Sequence, residues 1–505
     1  MHNEKIIAYD FGTSGVKAVL IDTKARVIET AMSNYDMFTP KPGWAEQVPD
    51  DYWQAVIFST RELLHKSNVV KESIKAIVFA TQAMGIIPLD NKGRVLYNNI
   101  SWVDGRAEKQ ANKINKIIKE PKFGAKSVVP KLMWIKEKMP EMYDKTKYFV
   151  DVNAYLRYKA TGKITAELTG ACSYGINLDN NSWDKKLFDA AGIDVNKLPP
   201  LCHSIDKIGK LTEAAANDLM LTADAVVMAG CNDVEAAAVG AVSVGNNEGH
   251  IYLGSSAWIC GIVERNFKTK NGATISKSPN PSKNLIKGVT QSSGMTLDKA
   301  MHMLYMQEKH APRINEYQVL ESEIKDIGPG SDSLIITPWI YGETCPVTDD
   351  NVRSTFFNMN YSHTRAHIVK AIREGIGYNL RWMLENFEND YNLTFTKLNV
   401  VGGGGLSDNW IQSLSDILQI PLYTTENMRH AGAIGAAVCG MIGLKDIDDF
   451  SDLNSVIKIK KSFLPNIENK LIYDMFYKEY KNLYYDLKSG YERINGREER
   501  NKNGY

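Results

Sequence analysis

The chain has 505 residues, which is longer than one hydrophobic core ordinarily supports, so two large domains are expected. Its 60 Lys and Arg residues balance 59 Asp and Glu residues, and the net charge of +1 excludes the strongly basic surface that binding of nucleic acid or acidic membranes requires. Six cysteines without the C-x-x-C spacing of a zinc site, and no apolar run of the ~20 residues that cross a bilayer, predict a cytoplasmic protein that binds small molecules.

The first elements predict a phosphate-binding turn between strands. Strands are predicted, in chain order, at residues 5–10, 16–22 and 26–34. Asp10 ends the first of them and is followed by Gly12, Thr13 and Ser14. Gly12 lets an anion approach the backbone, and the hydroxyl and N–H groups of Thr13 and Ser14 can bind a phosphate. A carboxylate beside such a turn suits Mg²⁺, so Asp10 is the predicted metal residue, although a plain hairpin turn fits this motif as well.

Helical and strand patterns alternate in the next part of the chain. Helices are predicted at residues 50–66, 131–138 and 155–160, with a strand-like apolar run at 74–80. Alternation of this kind is typical of α/β layers around a mixed sheet, so α/β is the predicted fold class.

A polar cluster follows the strand at 74–80. Trp102, Asp104 and Arg106 offer an aromatic face, a carboxylate and a guanidinium in close succession, which suits a polyol held by stacking and hydrogen bonds. Gln82, just after the strand, can join the same site. An ion pair between Asp104 and Arg106 on a surface turn is the alternative interpretation.

Asp233 lies where an apolar strand at 225–228 gives way to a helix of small residues. The alanines that follow it, with Gly240, make this helix thin enough for a ligand or another domain to press close. A partly desolvated carboxylate at that point can accept a proton from a hydroxyl group. An ordinary helix N-cap is the alternative interpretation.

The opening turn is repeated near the middle of the chain. Gly254, Ser255 and Ser256 align with the earlier Gly-Thr-Ser turn and also lie between two strand-like runs. Because the two similar turns are about half the chain apart, they predict two duplicated domains instead of a short-period repeat. The predicted domains are residues 1–245 and 246–488, followed by a charged tail at 489–505 that is expected to fray.

The second half contains a further glycine-rich turn. A strand predicted at 398–401 enters Gly402 to Gly405, and a helix is predicted at 410–418 with Ser407 and Asp408 as cap candidates. Glycines between a strand and a helix N-terminus suit close approach to a nucleotide, although many such turns are glycine-rich for packing reasons. A long helix is predicted before this turn, at 364–388.

Together these motifs resemble those of the FGGY carbohydrate kinases, and especially the xylulokinases. The similar segments, from about residue 5 to residue 440, include Asp10-x-Gly12-Thr13, Gly43-Trp44-Ala45-Glu46-Gln47, Trp102-x-Asp104-x-Arg106, Gly230-x-Asn232-Asp233, Gly254-Ser255-Ser256 and Gly403-Gly404-Gly405. The resemblance implies two ribonuclease-H-like domains of the actin-like ATPase type, with a cleft between them. It also implies ATP and Mg²⁺ as cofactors and a small sugar as the partner, and it leaves a homodimer open.

The resemblance also implies residue roles. Asp233 would be the general base, Asp10 would position Mg²⁺, and Thr13 and Ser14 would face the γ-phosphate. The terminal phosphates would bind Gly254, Ser255 and Ser256, and adenosine would bind Gly403, Gly404, Gly405 and Asn409. The sugar site would comprise Gln82, Ala83, Met84, Trp102, Asp104, Arg106 and Asp233.

One departure bears on the substrate. Xylulokinases commonly carry Met-His-Gly after the glutamine, whereas Gln82 is followed here by Ala83, Met84 and Gly85. A thioether thus replaces an imidazole that can donate and accept hydrogen bonds. D-xylulose is the first expected substrate, with L-xylulose, ribulose, gluconate, erythritol or glycerol as alternatives.

Two readings from other classes compete with a sugar kinase. An actin-type or heat-shock-type ATPase would leave Trp102, Asp104, Arg106 and Asp233 without a role. A sugar-sensing regulator would need a helix-turn-helix or a basic face, and neither pattern is found in the sequence.

Overall fold

The computed structural model describes residues 4–120, 122–243, 245, 247–264, 269, 272–310 and 315–496. In this part of the chain it contains two mixed seven-stranded sheets, one in each half, with helices packed on them. Among the described residues, none of the helices has the combination of length and apolar character that crossing a bilayer demands.

The first sheet follows the predicted strands closely. Lys5–Phe11 pairs antiparallel with Gly15–Asp22, which pairs antiparallel with Val27–Asn34. Ile74–Thr81 runs parallel to Lys5–Phe11 on its other side. The remaining strands of this sheet are Lys207–Lys210, Val226–Met228 and Cys231–Asn232.

The second sheet repeats the pairing of the first. Glu248–Leu253 pairs antiparallel with Ala257–Val263 and parallel with Lys397–Val401. Its other strands are Thr274–Lys277, Asn284–Val289, Leu422–Thr425 and Ile459–Phe463. The duplication expected from the two similar turns is therefore present in the topology as well as in the sequence.

Short two-stranded sheets and seventeen helices complete the described part of the chain. The short sheets are Glu46–Gln47 with Asn99–Ile100, Ile87–Leu89 with Tyr148–Val150, Ala166–Glu167 with Leu201–Cys202, Ile176–Asn177 with Ser182–Trp183, and Ile335–Ile336 with Phe356–Phe357. The helices are Pro49–Ser67, Glu108–Ile117, Val128–Lys138, Pro140–Lys145, Val152–Thr161, Leu168–Ala171, Lys185–Ala191, Glu213–Leu219, Asp233–Gly240, Gly294–Leu304, Met306–His310, Glu316–Ile324, Arg365–Tyr391, Asp408–Leu418, Ala431–Leu444, Leu453–Val456 and Lys470–Asn495.

One helix crosses from the second half to the first. Ala431–Leu444, named here the returning helix, lies on the first sheet, where Ile434 and Val438 are buried with Ile6 and other strand residues. Each such aliphatic side chain contributes roughly 1.5–3 kcal/mol when fully buried. The first sheet thus completes its core with residues that come late in the chain.

The returning helix also crosses the helix Asp233–Gly240 at very short range. A Cβ atom on Gly435 would lie 1.8 Å from the carbonyl oxygen of Ala236, and one on Gly240 would lie 2.0 Å from that of Ala431. Glycine is required at both positions because the two backbones touch. The helix that begins at Asp233 is therefore held at a fixed place between the two halves.

The predicted division of the chain at 245/246 and the tail at 489–505 stay predictions. Lys470–Asn495 is helical and covers the first part of that tail, while residues 497–505 lie outside the described residues.

Candidate active site

Three strands of the first sheet run parallel and end at the same edge. At or just after their ends are Asp10, Gln82 and Asp233, which come from distant parts of the sequence. Because the carboxyl ends of parallel strands are where open α/β sheets bind ligands, this edge is the candidate site.

Two side chains from other parts of the first half anchor the turn at Gly12, Thr13 and Ser14. It joins two antiparallel strands and is therefore a hairpin turn, and its predicted binding of a phosphate stays a prediction. The carbonyl oxygen of Thr13 accepts a hydrogen bond from Gln47 Nε2 at 2.8 Å, and its Oγ1 accepts one from Trp102 Nε1 at 3.1 Å. Ser14 is exposed beside it. These contacts fix the turn and leave one side of it open to a ligand.

Asp10 lies against the start of the returning helix. A Cβ atom on Gly432 would be 2.9 Å from the carboxyl carbon of Asp10. Burial raises the pKa of Asp10, and the nearby Lys17 ammonium opposes that rise. Among the described residues the Asp10 carboxylate has no hydrogen-bond partner, so its oxygens could bind a cation.

Asp233 is the first residue of its helix but does not cap it, because Asn232 occupies the N-cap position. The Asp233 carboxylate accepts one described hydrogen bond, from the N–H of Val234 at 2.8 Å. Burial, followed by the charges of Asp10 and Glu235, raises the pKa of Asp233 to about 7. A carboxyl group with such a pKa can exchange a proton near neutral pH, which is what a general base requires.

The second half reaches this site through Tyr252. Its ring stacks on Trp258 with the ring centroids 3.8 Å apart. Burial and then the charges of Asp10 and Asp233 raise the pKa of Tyr252 to about 12, so its hydroxyl lies near both carboxylates. The two halves therefore face each other across the candidate site.

The expected sugar residues collect beside the first turn. Gln82 donates through Nε2 to Gln47 Oε1 at 3.0 Å, and its own Oε1 is buried without a hydrogen-bond partner among the described residues. Ala83 and Met84 form the bend that follows, and Met84 has a positive φ of 63°. Trp102 is 39% exposed. Gln82, through Gln47, and Trp102, directly, are thus linked to Thr13, whereas the predicted sugar contacts of Ala83 and Met84 stay predictions.

A large cavity opens behind the second turn. It measures about 700 Å³ and contains Gly254 and Ser255 on one wall and Gly403 and Gly404 on another. Its other lining residues are Leu253, Gly294, Leu297, Asp298, Asn315, Tyr317, Gln318, Glu321, Arg373, Leu406, Ser407, Trp410 and Arg429.

Three residues expected at the nucleotide are near this cavity without lining it. The carbonyl of Ser256 accepts from the N–H of Gly254 at 3.0 Å, Gly405 is buried, and Asn409 Nδ2 donates to Glu321 at 3.0 Å. Their predicted contacts with a nucleotide stay predictions. Ser407 caps the following helix, as expected, by accepting from the N–H of Trp410.

Comparison with known families decides what kind of site this is. Residues 5–240 match the N-terminal domain of the FGGY family of carbohydrate kinases, and residues 285–444 match the C-terminal domain of that family. The chain belongs to the FGGY family of carbohydrate kinases. It is therefore a sugar kinase with the two-domain, actin-like ATPase fold, and the reading as an actin-type or heat-shock-type ATPase without a sugar is set aside.

Similar proteins cover nearly the whole chain. A xylulose kinase of Bacillus subtilis (strain 168) is 28% identical over 95% of this chain and 96% of its own length. A gluconokinase of Bacillus licheniformis is 24% identical over 97% of both chains. The structure of a ligand-bound xylulose kinase from Lactobacillus acidophilus superposes with a TM-score of 0.88 at 22% identity, covering 97% of this chain and 100% of that one. At this identity, the likeness to the Lactobacillus acidophilus structure supports the two-domain fold alone.

Within this FGGY kinase, Asp104 and Arg106 are arranged differently from the expectation. They pair with each other, but inside the protein and not on a surface turn, because neither side chain is exposed. Arg106 also binds Glu46 at 2.7 Å, and its guanidinium lies 3.8 Å from the ring centroid of Trp44. In this structure both side chains support the loop that carries Trp102, and their predicted contacts with a sugar stay predictions.

The carboxylates of the kinase fit a hard cation. Asp10 would hold the cation, since no hydrogen-bond donor among the described residues competes for its oxygens, and its charge acts on the nearby Asp233, which is the candidate base. Mg²⁺ prefers one or two carboxylates together with substrate phosphates and waters. The described residues contain no group of three or more His, Cys, Asp or Glu side chains that could hold a metal ion.

Sequence reasoning missed several residues of the cavity. Arg373 comes from the long helix Arg365–Tyr391, pairs with Glu321 at 2.8 Å and lies over the ring of Trp410. Tyr317 lines the same cavity. A lone arginine in a helix carries no local signal of a ligand site, so these residues could be found only once their helices were packed around the glycine-rich turn.

The raised pKa of Asp233 predicts a pH dependence. The base must be deprotonated to act, so kcat/KM for the sugar should rise with pH up to about 7, the pKa of this carboxyl group in the free protein, and then level off. The kcat profile should bend at lower pH, because a bound cation beside the carboxylate favours its charged form. Steady-state rates from pH 5 to 9 test this; a flat kcat/KM profile between pH 5.5 and 7 would contradict it.

Proposed function

We propose that this FGGY kinase transfers the γ-phosphate of ATP to a hydroxyl group of D-xylulose. The proposal rests on Asp233, a carboxylate with a pKa of about 7 that lies where the two halves meet. Among the described residues, its carboxylate accepts a hydrogen bond only from its own helix, at Val234. Its proposed role is to take the proton of the attacking hydroxyl group. The oxygen then bonds to the γ-phosphorus while the bond from that phosphorus to the ADP oxygen breaks.

The other groups of the site would prepare this step. Thr13 and Ser14 would bind the γ-phosphate from the first half, and Gly254 with Ser255 would bind phosphates from the second. Mg²⁺, when held by Asp10, would neutralise phosphate charge. Closure of the halves would exclude water, so hydrolysis of ATP without a sugar should be slow.

The polar groups beside Gln82 favour a neutral sugar over an aldonate. Arg106 is bound to Asp104 and Glu46, and Lys131 donates to the carbonyl oxygen of Ser101 at 2.7 Å. The charge of Arg106 is already balanced by two carboxylates, with only its Nη1 left unpartnered, whereas the unpartnered Oε1 of Gln82 can accept from a hydroxyl group. The similar xylulose kinases support a ketopentose, while the similar gluconokinase keeps gluconate as the second candidate.

A panel assay tests the substrate. ADP release is measured with D-xylulose, L-xylulose, ribulose, gluconate, erythritol and glycerol, and without any sugar. We expect kcat/KM for D-xylulose to exceed that for gluconate at least about 100-fold, the scale expected when a buried polar contact goes unmet. A higher value for gluconate would overturn the proposed sugar but not the kinase, and equal ADP release with and without every sugar would overturn the proposed transfer.

A further inference from the structure

A buried ion pair joins the two halves next to Asp233. Glu235 is two residues further along the same helix, and its side chain is completely buried. Its Oε1 accepts from Lys287 Nζ at 2.9 Å and from Ser276 Oγ at 2.5 Å. Lys287 and Ser276 belong to neighbouring strands of the second sheet, so this one carboxylate binds two groups of the other half.

The remaining oxygen of Glu235 is bound within the first half. Its Oε2 accepts from Asn232 Nδ2 at 2.6 Å, and Asn232 is the N-cap residue immediately before Asp233. The contacts therefore run without a gap from the second sheet, through Glu235, to the backbone that carries Asp233. Burial lowers the pKa of Lys287, but the charge of Glu235 and its hydrogen bond have the larger combined effect. The pKa of Lys287 is therefore raised above its usual value.

Further contacts between the halves surround this pair. The N–H of Lys277 donates to Cys172 Sγ at 3.2 Å, and Lys277 Nζ donates to the carbonyl oxygen of Leu178. On the apolar side, Ala238 packs against Leu285 of the second sheet. The two halves thus meet here in a continuous interface of which Glu235 is the charged centre.

We infer that Glu235 is a positioning residue whose ion pair with Lys287 latches the two halves together and holds Asp233 in register with the phosphates. A buried pair with only one partner removed leaves an uncompensated charge, so the latch is strong only while both are present. When the halves are latched, Asp233 faces the sugar hydroxyl and water is kept away from the γ-phosphate. This inference rests on the proposed sugar kinase reaction.

The test uses Glu235→Gln, Lys287→Met and the double variant in the full chain. With the sugar that the wild type accepts best, each single variant should lose at least about tenfold in kcat, and the double variant should lose no more than the worse single variant, since all three break one contact. The ratio of ADP released to sugar phosphorylated should rise from one, because a loosened cleft admits water. Unchanged kcat and an unchanged ratio would overturn the inference.

Lys283→Met is the matched control. Lys283 lies just before the same strand and pairs with Glu264 within the second half, where the Glu264 side chain is 72% exposed. Loss of an exposed pair should change kcat by less than about threefold. A variant that is only less stable would show a lower melting temperature with an ADP-to-product ratio of one, and that result would also overturn the inference.

Hydrogen exchange separates the latch from the identity of the sugar. In the protein without ligands, Glu235→Gln should speed amide exchange at least about tenfold in residues 274–289, which lose their contact with Glu235, and in residues 172–178, which Lys277 of that segment holds. This readout needs no substrate: if D-xylulose proves inactive but exchange rises, the proposed sugar fails and the latch stands. If Lys287→Met does not fold, Ser276→Ala removes a second contact to the same carboxylate, and wild-type exchange in both Glu235→Gln and Ser276→Ala would reject the latch.

Discussion

Replacement of Asp233 by Asn should lower kcat for sugar phosphorylation by about 10²–10⁴-fold, the range that a positioned general base contributes. Asparagine has nearly the same shape and can still accept the hydrogen bond from Val234, but it cannot take a proton. The loss should fall on kcat, while the KM for ATP stays within about threefold, because the cavity where we expect the nucleotide does not include this residue. Steady-state ADP release with the preferred sugar measures both quantities.

The fold of the variant should be intact. Removing a carboxylate whose charged form is disfavoured by burial costs no stability at neutral pH, so the melting temperature should equal or exceed that of the wild type. Asp224→Asn is a suitable control, because Asp224 lies in the same half, where its side chain is 86% exposed. A kcat for Asp233→Asn within threefold of the wild type would reject the proposed base.

Replacement of Gly432 by Ala should impair the metal-dependent step. The added methyl group would lie 2.9 Å from the Asp10 carboxyl carbon and from its Oδ2, and 3.0 Å from Oδ1. These separations are shorter than van der Waals contact, so the carboxylate must rotate or the helix must shift. We expect kcat to fall about tenfold or more and half-maximal activity to need a higher Mg²⁺ concentration. The reason is that a small displacement of the Asp10 carboxylate slows a reaction that depends on precise positioning.

A Mg²⁺ titration at saturating ATP and sugar measures this effect. Gly124→Ala is the control, since a Cβ atom at Gly124 would meet no atom within 4 Å. High Mg²⁺ should restore part of the activity if Asp10 is displaced but not lost. If Gly432→Ala shows the Mg²⁺ dependence of the wild type, Asp10 does not hold the metal in the proposed way.

Much of the candidate site could be predicted because its residues follow local rules. The turn after Asp10 and its echo at Gly254 carry glycine and hydroxyl residues between strands, and the strands form where the apolar runs lie. The small residues after Asp233 predicted close approach by another element. The structure confirms it, since Ala236 and Gly240 touch the returning helix.

Other residues could not be predicted, for an equally physical reason. Gly432 faces Asp10 only because a helix from the second half packs on the first sheet, and no local pattern reports a contact between residues so far apart. The burial of Arg106 depends in the same way on the rings of Trp44 and Trp134 closing around it. Glu235 is an ordinary first-turn acidic residue in sequence, and its significance comes entirely from Lys287 on the other half.

The returning helix sets an order for biosynthesis. Residues such as Ile6 and Val78 on the first sheet are covered by Ile434 and Val438. The ribosome adds these two helix residues more than 350 positions after Val78. The nascent first half therefore keeps one apolar face uncovered until the returning helix has been synthesised. During this interval the face exposes apolar surface of the kind that chaperones bind, and the core of the first sheet closes only when a late helix docks on it.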